Sequence, residues 1–257
     1  MVSERIAVLG LGEAGSLVAG DLADAGARVV GYDPAVRPCD GIASAGSEAE
    51  AVDGAGLVLA LTPAADARTA LENALPGLTE GVVYADLSTA SDGLKRELSQ
   101  VCAPTGARFA DVALMSPVPG RGLRTPMLAS GPGARDVAAR LGPLGASVEV
   151  VGAQPGEAAV RKLLRSIFYK GMAAAVTEAL TAAEHFGLQE WLRENIADEF
   201  ERSDATTVER MVHGSRLHAV RRVHEMEAAA AMARGVGVEP HMADAARRVL
   251  EDLRDAS

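Results

Sequence analysis

The 257-residue chain contains three lysines, two cysteines and one tryptophan, and only 3% of its residues are aromatic. Each scarcity excludes something. Cys39 and Cys102 are too few for a disulfide framework and lack metal-site spacing, so no metal is expected. No stretch of about 18 uncharged apolar residues occurs, which excludes a membrane-spanning helix. The glycine-interrupted run from Ile6 is too short for a signal peptide. The formal charge is -10 and its positive part is almost entirely arginine. Neutralising phosphates requires clustered Lys and Arg, so a nucleic-acid partner is not expected. The expectation is a soluble, cytoplasmic protein acting on a small molecule. With so few rings, the core must be built from Ala, Val and Leu, for which 48% apolar content is ample.

Short apolar runs at 6–9, 29–32, 57–61, 82–86, 108–112, 127–129 and 148–151 alternate with helix-like stretches. This pattern predicts an α/β fold, a Rossmann doubly wound parallel sheet over residues 1–153 with helices on both faces. Residues 154–257 contain no further strand-like run and read as an all-helical domain for substrate and dimerisation. Its first helix is expected from 157 to 186, stopped by Gly187. Thirty residues span about 45 Å, and a helix apolar on most faces must bury itself against later helices or a second subunit. A homodimer through the C-terminal helices is therefore expected. All five histidines lie in this half without a metal-ligating pair. His218, Arg222 and Glu225 are expected on one helical face, more simply a solvated face than part of a pocket, and Trp191 in the core.

The opening segment carries the clearest chemistry. Gly10-Leu11-Gly12-Glu13-Ala14-Gly15 follows a strand-like run and opens a helix, and Asp33 lies 18 residues after Gly15. Gly10 permits the turn, Gly12 lets backbone approach a pyrophosphate, and Gly15 lets the helix pack closely on the strand. Asp33 suits the ribose hydroxyls and repels a 2′-phosphate, so NAD is the expected cofactor. Arg37 keeps NADP as the alternative. Leu61 and Thr62, where the third run ends, complete the cofactor-binding set.

With these residues in place, the whole chain resembles the β-hydroxyacid dehydrogenase / 6-phosphogluconate dehydrogenase superfamily, in the branch with a C-terminal domain of unknown function (1932 type). Two further motifs carry the resemblance. Asp86-Leu-Ser88-Thr89 matches a D-x-S-T loop that faces substrate and nicotinamide. Lys162-Leu-Leu-Arg165-Ser166 matches a K-x-x-N-N pattern that begins with the catalytic lysine. The resemblance implies hydride transfer to or from a small hydroxy or carbonyl compound. Lys162 would be the general acid/base, with Ser88 and Ser166 orienting substrate. Lys162, Arg165, Ser166, Tyr169 and Lys170 also form one polar stripe at helical spacing. A lysine in a partly desolvated cleft suits proton transfer near neutral pH. Ser91 and Asp92 are better placed than Ser88 to cap the following helix, which leaves Ser88 for substrate.

One motif departs from the pattern. Where the superfamily has D-A-P-V-S-G-G, whose glycines receive a substrate carboxylate, this chain has Asp111-Val-Ala-Leu-Met115-Ser116-Pro117, and proline offers no N–H. The substrate-side set is therefore Ser88, Thr89, Met115, Ser116, Arg165 and Tyr169, with Arg165 or Arg121 as a replacement for the cradle. Imine reduction in the same cleft is the alternative, since an imine needs no carboxylate cradle, although relatives of that kind carry Asp or Tyr at the lysine position. A cofactor-binding sensor without turnover is the third reading.

Overall fold

The structure, a computed structural model, describes residues 4–256. The chain forms two compact units, Met1–Arg165 and Ser166–Ser257.

The first unit is an eight-stranded sheet in the order β3-β2-β1-β4-β5-β6-β7-β8. Its strands are β1 (Arg5–Leu9), β2 (Arg28–Tyr32), β3 (Ala43–Ser44), β4 (Leu57–Ala60), β5 (Val83–Asp86), β6 (Arg108–Leu114), β7 (Met127–Ser130) and β8 (Val148–Gly152). Alternate strand residues feed opposite faces. Ile6, Val8, Leu57, Leu59 and Val83 pack on the helix side formed by α1 (Glu13–Asp24) and α5 (Ala134–Leu141). Ala7, Leu9, Val58, Ala60 and Tyr84 pack on the other side, with α2 (Glu48–Val52), α3 (Ala67–Ala74) and α4 (Asp92–Cys102). Burial on both faces accounts for the continuous apolar runs, and the Rossmann reading holds.

Two details correct the sequence reading. The sheet is not wholly parallel, because β7 runs antiparallel to β6. Residues 115–126 between them hold only a single short helical turn, too little for the crossover that parallel pairing requires. The two-residue β3 was not foreseen because it is shorter than any pattern.

Helix α6 (Glu157–Glu184) runs from the first unit into the second. The second unit continues with α7 (Gln189–Glu201), α8 (Thr206–Leu217), α9 (Ala219–Gly235) and α10 (His241–Asp255). Small residues bring α9 and α10 together: Ala230, Ala233 and Ala243 are buried there with Leu250. Glu178 on α6 accepts from the Met242 and Ala243 N–H groups at 2.7 and 3.0 Å, satisfying two of the donors that open α10. Much apolar surface stays open within this single chain, including Ile167 (73% exposed), Leu217 (64%) and Trp191 (60%); Trp191 is thus not the core residue expected. The chain also breaks helix at His218, between α8 and α9. Arg222 reaches back to Ser215 Oγ at 3.0 Å, while Glu225 pairs with Arg221. His218 caps α9, its carbonyl accepting from Arg222 N at 3.0 Å, so the three residues follow α9 and not a helix continuous with α8.

Candidate active site

The glycine loop turns at the end of β1. Gly10 has φ +86°, and a Cβ there would sit 2.8 Å from the Leu61 carbonyl oxygen. A Cβ on Gly15 would collide with the Gly10 carbonyl, so both positions require glycine. Gly12 differs, since a Cβ there would meet nothing within 4 Å. It faces open space at the start of α1, where the first helical N–H groups are donors for an anion.

Asp33 closes the loop. Its Oδ2 accepts from Leu11 N at 2.8 Å, and its Oδ1 accepts from Ala35 N and Val36 N at 2.8 and 2.9 Å. Burial pushes its pKa up, but the three backbone bonds outweigh that, leaving the carboxyl below its usual range. A carboxylate has about four acceptor sites. With three taken, Oδ2 keeps one for a ribose hydroxyl. Leu11, placed in the cofactor set from sequence, thus spends its N–H on Asp33.

These residues wall a cleft of about 720 Å³, lined also by Glu13, Ala14, Leu61 and Thr62. The Thr62 hydroxyl is buried and has no hydrogen-bond partner among the described residues, which fits a wall that awaits a polar ligand. The lining includes four carboxylates, Glu13, Asp33, Glu48 and Asp66, and no lysine or arginine. The open approach at Gly12, the N–H groups that open α1 and the anchored Asp33 fit a dinucleotide.

The loop after β5 corrects an expectation. Ser91 caps α4, accepting from Leu94 N at 3.2 Å, but this does not leave Ser88 open. Ser88 is buried, and its hydroxyl donates to Asp86 Oδ2 at 2.8 Å because that carboxylate, itself buried, must be satisfied. Thr89 is the exposed member of the pair.

The centre of this region is a group that the sequence reading passed over. Lys95 is fully buried, with its Nζ 2.7 Å from Asp86 Oδ2, 2.9 Å from the Asp86 carbonyl and 3.2 Å from Asp111 Oδ1. The Asp111 Oδ1 contact falls outside hydrogen-bonding geometry, so it is an ion pair alone. Asp111 Oδ2 accepts from Ser130 Oγ, Gly156 N and Ala159 N at 3.1, 3.1 and 2.9 Å, and Ser130 Oγ accepts from Ala158 N at 3.0 Å. Strands β6 and β7 thus cap the start of α6. One ammonium and two carboxylates leave one net negative charge, set against the positive end of a 28-residue helix. The signal was present in the sequence: Lys95, Leu98 and Cys102 share the buried face of α4 at i, i+3 and i+7.

Lys162 is half-buried, three residues after Ala159 and so on the same side of α6 one turn on. Arg165 donates to the Met115 carbonyl at 2.7 Å. This brings its guanidinium to the Met115-Ser116-Pro117 loop, where a glycine pair would stand in the superfamily pattern. Met115 and Ser116 are half-buried, and Arg121 begins the short turn before β7. Ser166, Tyr169 and Lys170 lie on the part of α6 that belongs to the second unit. There Lys170 Nζ reaches Ser166 Oγ at 3.5 Å, and the exposed Tyr169 ring meets the Phe168 ring edge-on.

Residues 5–122 match the NAD binding domain of 6-phosphogluconate dehydrogenase, and residues 183–253 match a domain of unknown function, DUF1932. A conserved hypothetical protein from Sinorhizobium meliloti 1021 is 30% identical, with a TM-score of 0.63 over 97% of this chain and 88% of that one. The conserved protein MTH1747, described as structurally similar to 3-hydroxyacid dehydrogenases, is 27% identical, with a TM-score of 0.62 over 98% and 97%. An imine reductase from Streptomyces aurantiacus shares the fold at 20% identity, with a TM-score of 0.80 over 98% and 95%. An uncharacterised 28.5 kDa protein of Methanothermus fervidus is 27% identical over 144 residues, and that match spans about half its length, 55%.

Proposed function

The chain belongs to the 6-phosphogluconate dehydrogenase-like superfamily, in the branch that ends in a DUF1932 domain, and from that premise we propose that it transfers a hydride between NAD(H) and a small hydroxy or carbonyl compound. The single observation that carries the reading is the cleft at Gly10–Gly15, with an open approach to Gly12 and an anchored, ionised Asp33 opposite. When bound there, the dinucleotide supplies or accepts the hydride. The chain's own contribution is the proton: Lys162 gives one to, or takes one from, the oxygen on the reacting carbon. Ser166, one turn on, orients the substrate, and Thr89 takes over the exposed contact that Ser88 does not offer. Arg165, held at Met115, receives a substrate carboxylate in place of the missing glycine pair. The helical residues 154–257 form the substrate and dimerisation domain.

NAD(H) is preferred to NADP(H). A 2′-phosphate would enter a cleft with four carboxylates and no cation on its walls. NADH is expected to bind at least about tenfold more tightly than NADPH, and Asp33→Ala to weaken NADH binding by a similar factor. Tighter binding of NADPH, measured by fluorescence titration, would refute the assignment. The activity itself is tested by following NADH oxidation with a panel of small oxo acids, semialdehydes and cyclic imines.

A second reading, imine reduction, is favoured by Ser116 and Pro117, which leave no glycine cradle for a carboxylate. Consumption of NADH by cyclic imines alone would select it.

The apolar surface of the second unit fits a second copy of this chain. A groove of about 580 Å³ there is lined by Phe186, Leu188, Trp191, Met226 and Met232. Leaving so much apolar area in water is costly, and self-association covers it. Light scattering after gel filtration is expected to give twice the chain mass, and Trp191→Glu to give the single-chain mass with the fold intact. A monomeric wild type would refute the dimer.

A further inference from the structure

Among the described residues, the proposed chemistry leaves one buried cation and its two buried carboxylate partners without a task. Of the three lysines, Lys95 alone is fully buried, and it sits between two buried carboxylates. Stability alone explains such a group poorly, because a buried ion pair seldom outperforms well-packed apolar side chains, and its best-attested use is to fix geometry. Here the geometry that it fixes has two ends. Asp86 accepts from Ser88 N and Oγ and so shapes the loop from Asp86 to Thr89. Asp111 and Ser130 accept from Gly156, Ala158 and Ala159, so they set the rotation and depth at which α6 begins. Lys95 bonds to Asp86 and faces Asp111 across the ion pair, and therefore joins the two ends. Lys162 follows Ala159 by three residues, so a rotation of the first turn is carried directly to it.

We propose that Lys95 is a positioning residue: through Asp86 and Asp111 it sets where α6 starts and thereby where the Lys162 ammonium is held. The inference rests on Lys162 being the acid/base, but its test does not depend on turnover alone. Reductive methylation of the full-length chain with [13C]formaldehyde labels exposed amines, and with only three lysines the spectrum is assignable. Lys95 is expected to stay unlabelled in the folded protein, and Lys162→Arg identifies the Lys162 signal.

The variant of choice is Asp86→Asn/Lys95→Met, which removes a charge and its partner together and leaves Asp111 on the helix N-terminus. It is expected to melt cooperatively and to bind NADH within about twofold of wild type, because the cofactor cleft does not include these residues. The midpoint of the Lys162 titration is nevertheless expected to move. With the carbonyl that turns over, kcat is expected to fall by about ten- to a hundredfold, with KM for NADH unchanged, the scale of a small displacement of a catalytic group. A folded double variant with the wild-type Lys162 titration curve would overturn the proposal. Should the wild type turn over no carbonyl, the carbonyl-reduction reading fails and the titration alone decides the positioning claim. Should the double variant not fold, Ser130→Ala, which removes both the bond from Ala158 N and the bond to Asp111 Oδ2 while leaving Lys95 in place, supplies the same readout, and an unmoved Lys162 curve there overturns the proposal.

Discussion

Lys162→Ala is expected to lower kcat for carbonyl reduction by about two to four orders of magnitude while leaving NADH affinity unchanged. The size is that of removing a positioned general acid/base. The separation of effects follows from position: Lys162 lies on α6, whereas the cleft walls come from the glycine loop, the end of β2 and the segment around Thr62. The loss is expected in kcat and kcat/KM alike, because the proton is needed only as the carbonyl oxygen takes on charge. Steady-state kinetics beside a fluorescence titration of NADH distinguish the cases. A variant that keeps most of its kcat would remove Lys162 from the chemistry and shift the balance to imine reduction.

Lys95→Met is expected to cost about 3–5 kcal/mol of unfolding free energy, the scale for removing one member of a buried ion pair. The side chains are similar in length, so the loss comes from charge and not from a cavity. Asp86 Oδ2 and the Asp86 carbonyl each lose a short bond, and Asp111 loses its facing cation. A domain of this size has roughly 5–15 kcal/mol in all, so a large part of its stability disappears. Urea denaturation checks the value. A loss under about 1 kcal/mol would mean that the two carboxylates find other partners and that the cluster holds α6 less firmly than the bond lengths indicate.

The two predictions differ in how readily the sequence announced them. The dinucleotide loop was legible because its demands are local: turn, close approach and helix start follow one another within six residues, and the carboxylate arrives at a fixed distance. The strands were legible because a sheet buried on both faces writes itself as apolar runs. Lys162 was singled out through its motif, and its proposed role rests on that motif. Lys95 was not, although it stands on the buried face of α4 beside Leu98 and Cys102. Its partners lie nine residues earlier, on β5, and sixteen later, on β6, and only the parallel pairing of Asp86 with Asp111 makes them neighbours. The bond from Ser88 to Asp86 was hidden for the same reason, since its hydroxyl answers a carboxylate whose burial depends on the whole sheet. The antiparallel β7 and the break at His218 were hidden because both depend on how short connections turn, which periodicity does not record.

The central claim is direct hydride transfer between NAD(H) and a carbonyl carbon, and the most direct test uses NADH carrying deuterium at the transferable position of its nicotinamide ring. The chain is incubated with this cofactor and the panel of oxo acids, semialdehydes and cyclic imines, and the products are read by mass spectrometry. The account predicts one hydroxy product with a single deuterium on the former carbonyl carbon, and none with Lys162→Ala over the same time. Deuterium found only in an amine, or retained wholly in the cofactor despite tight binding, would contradict it.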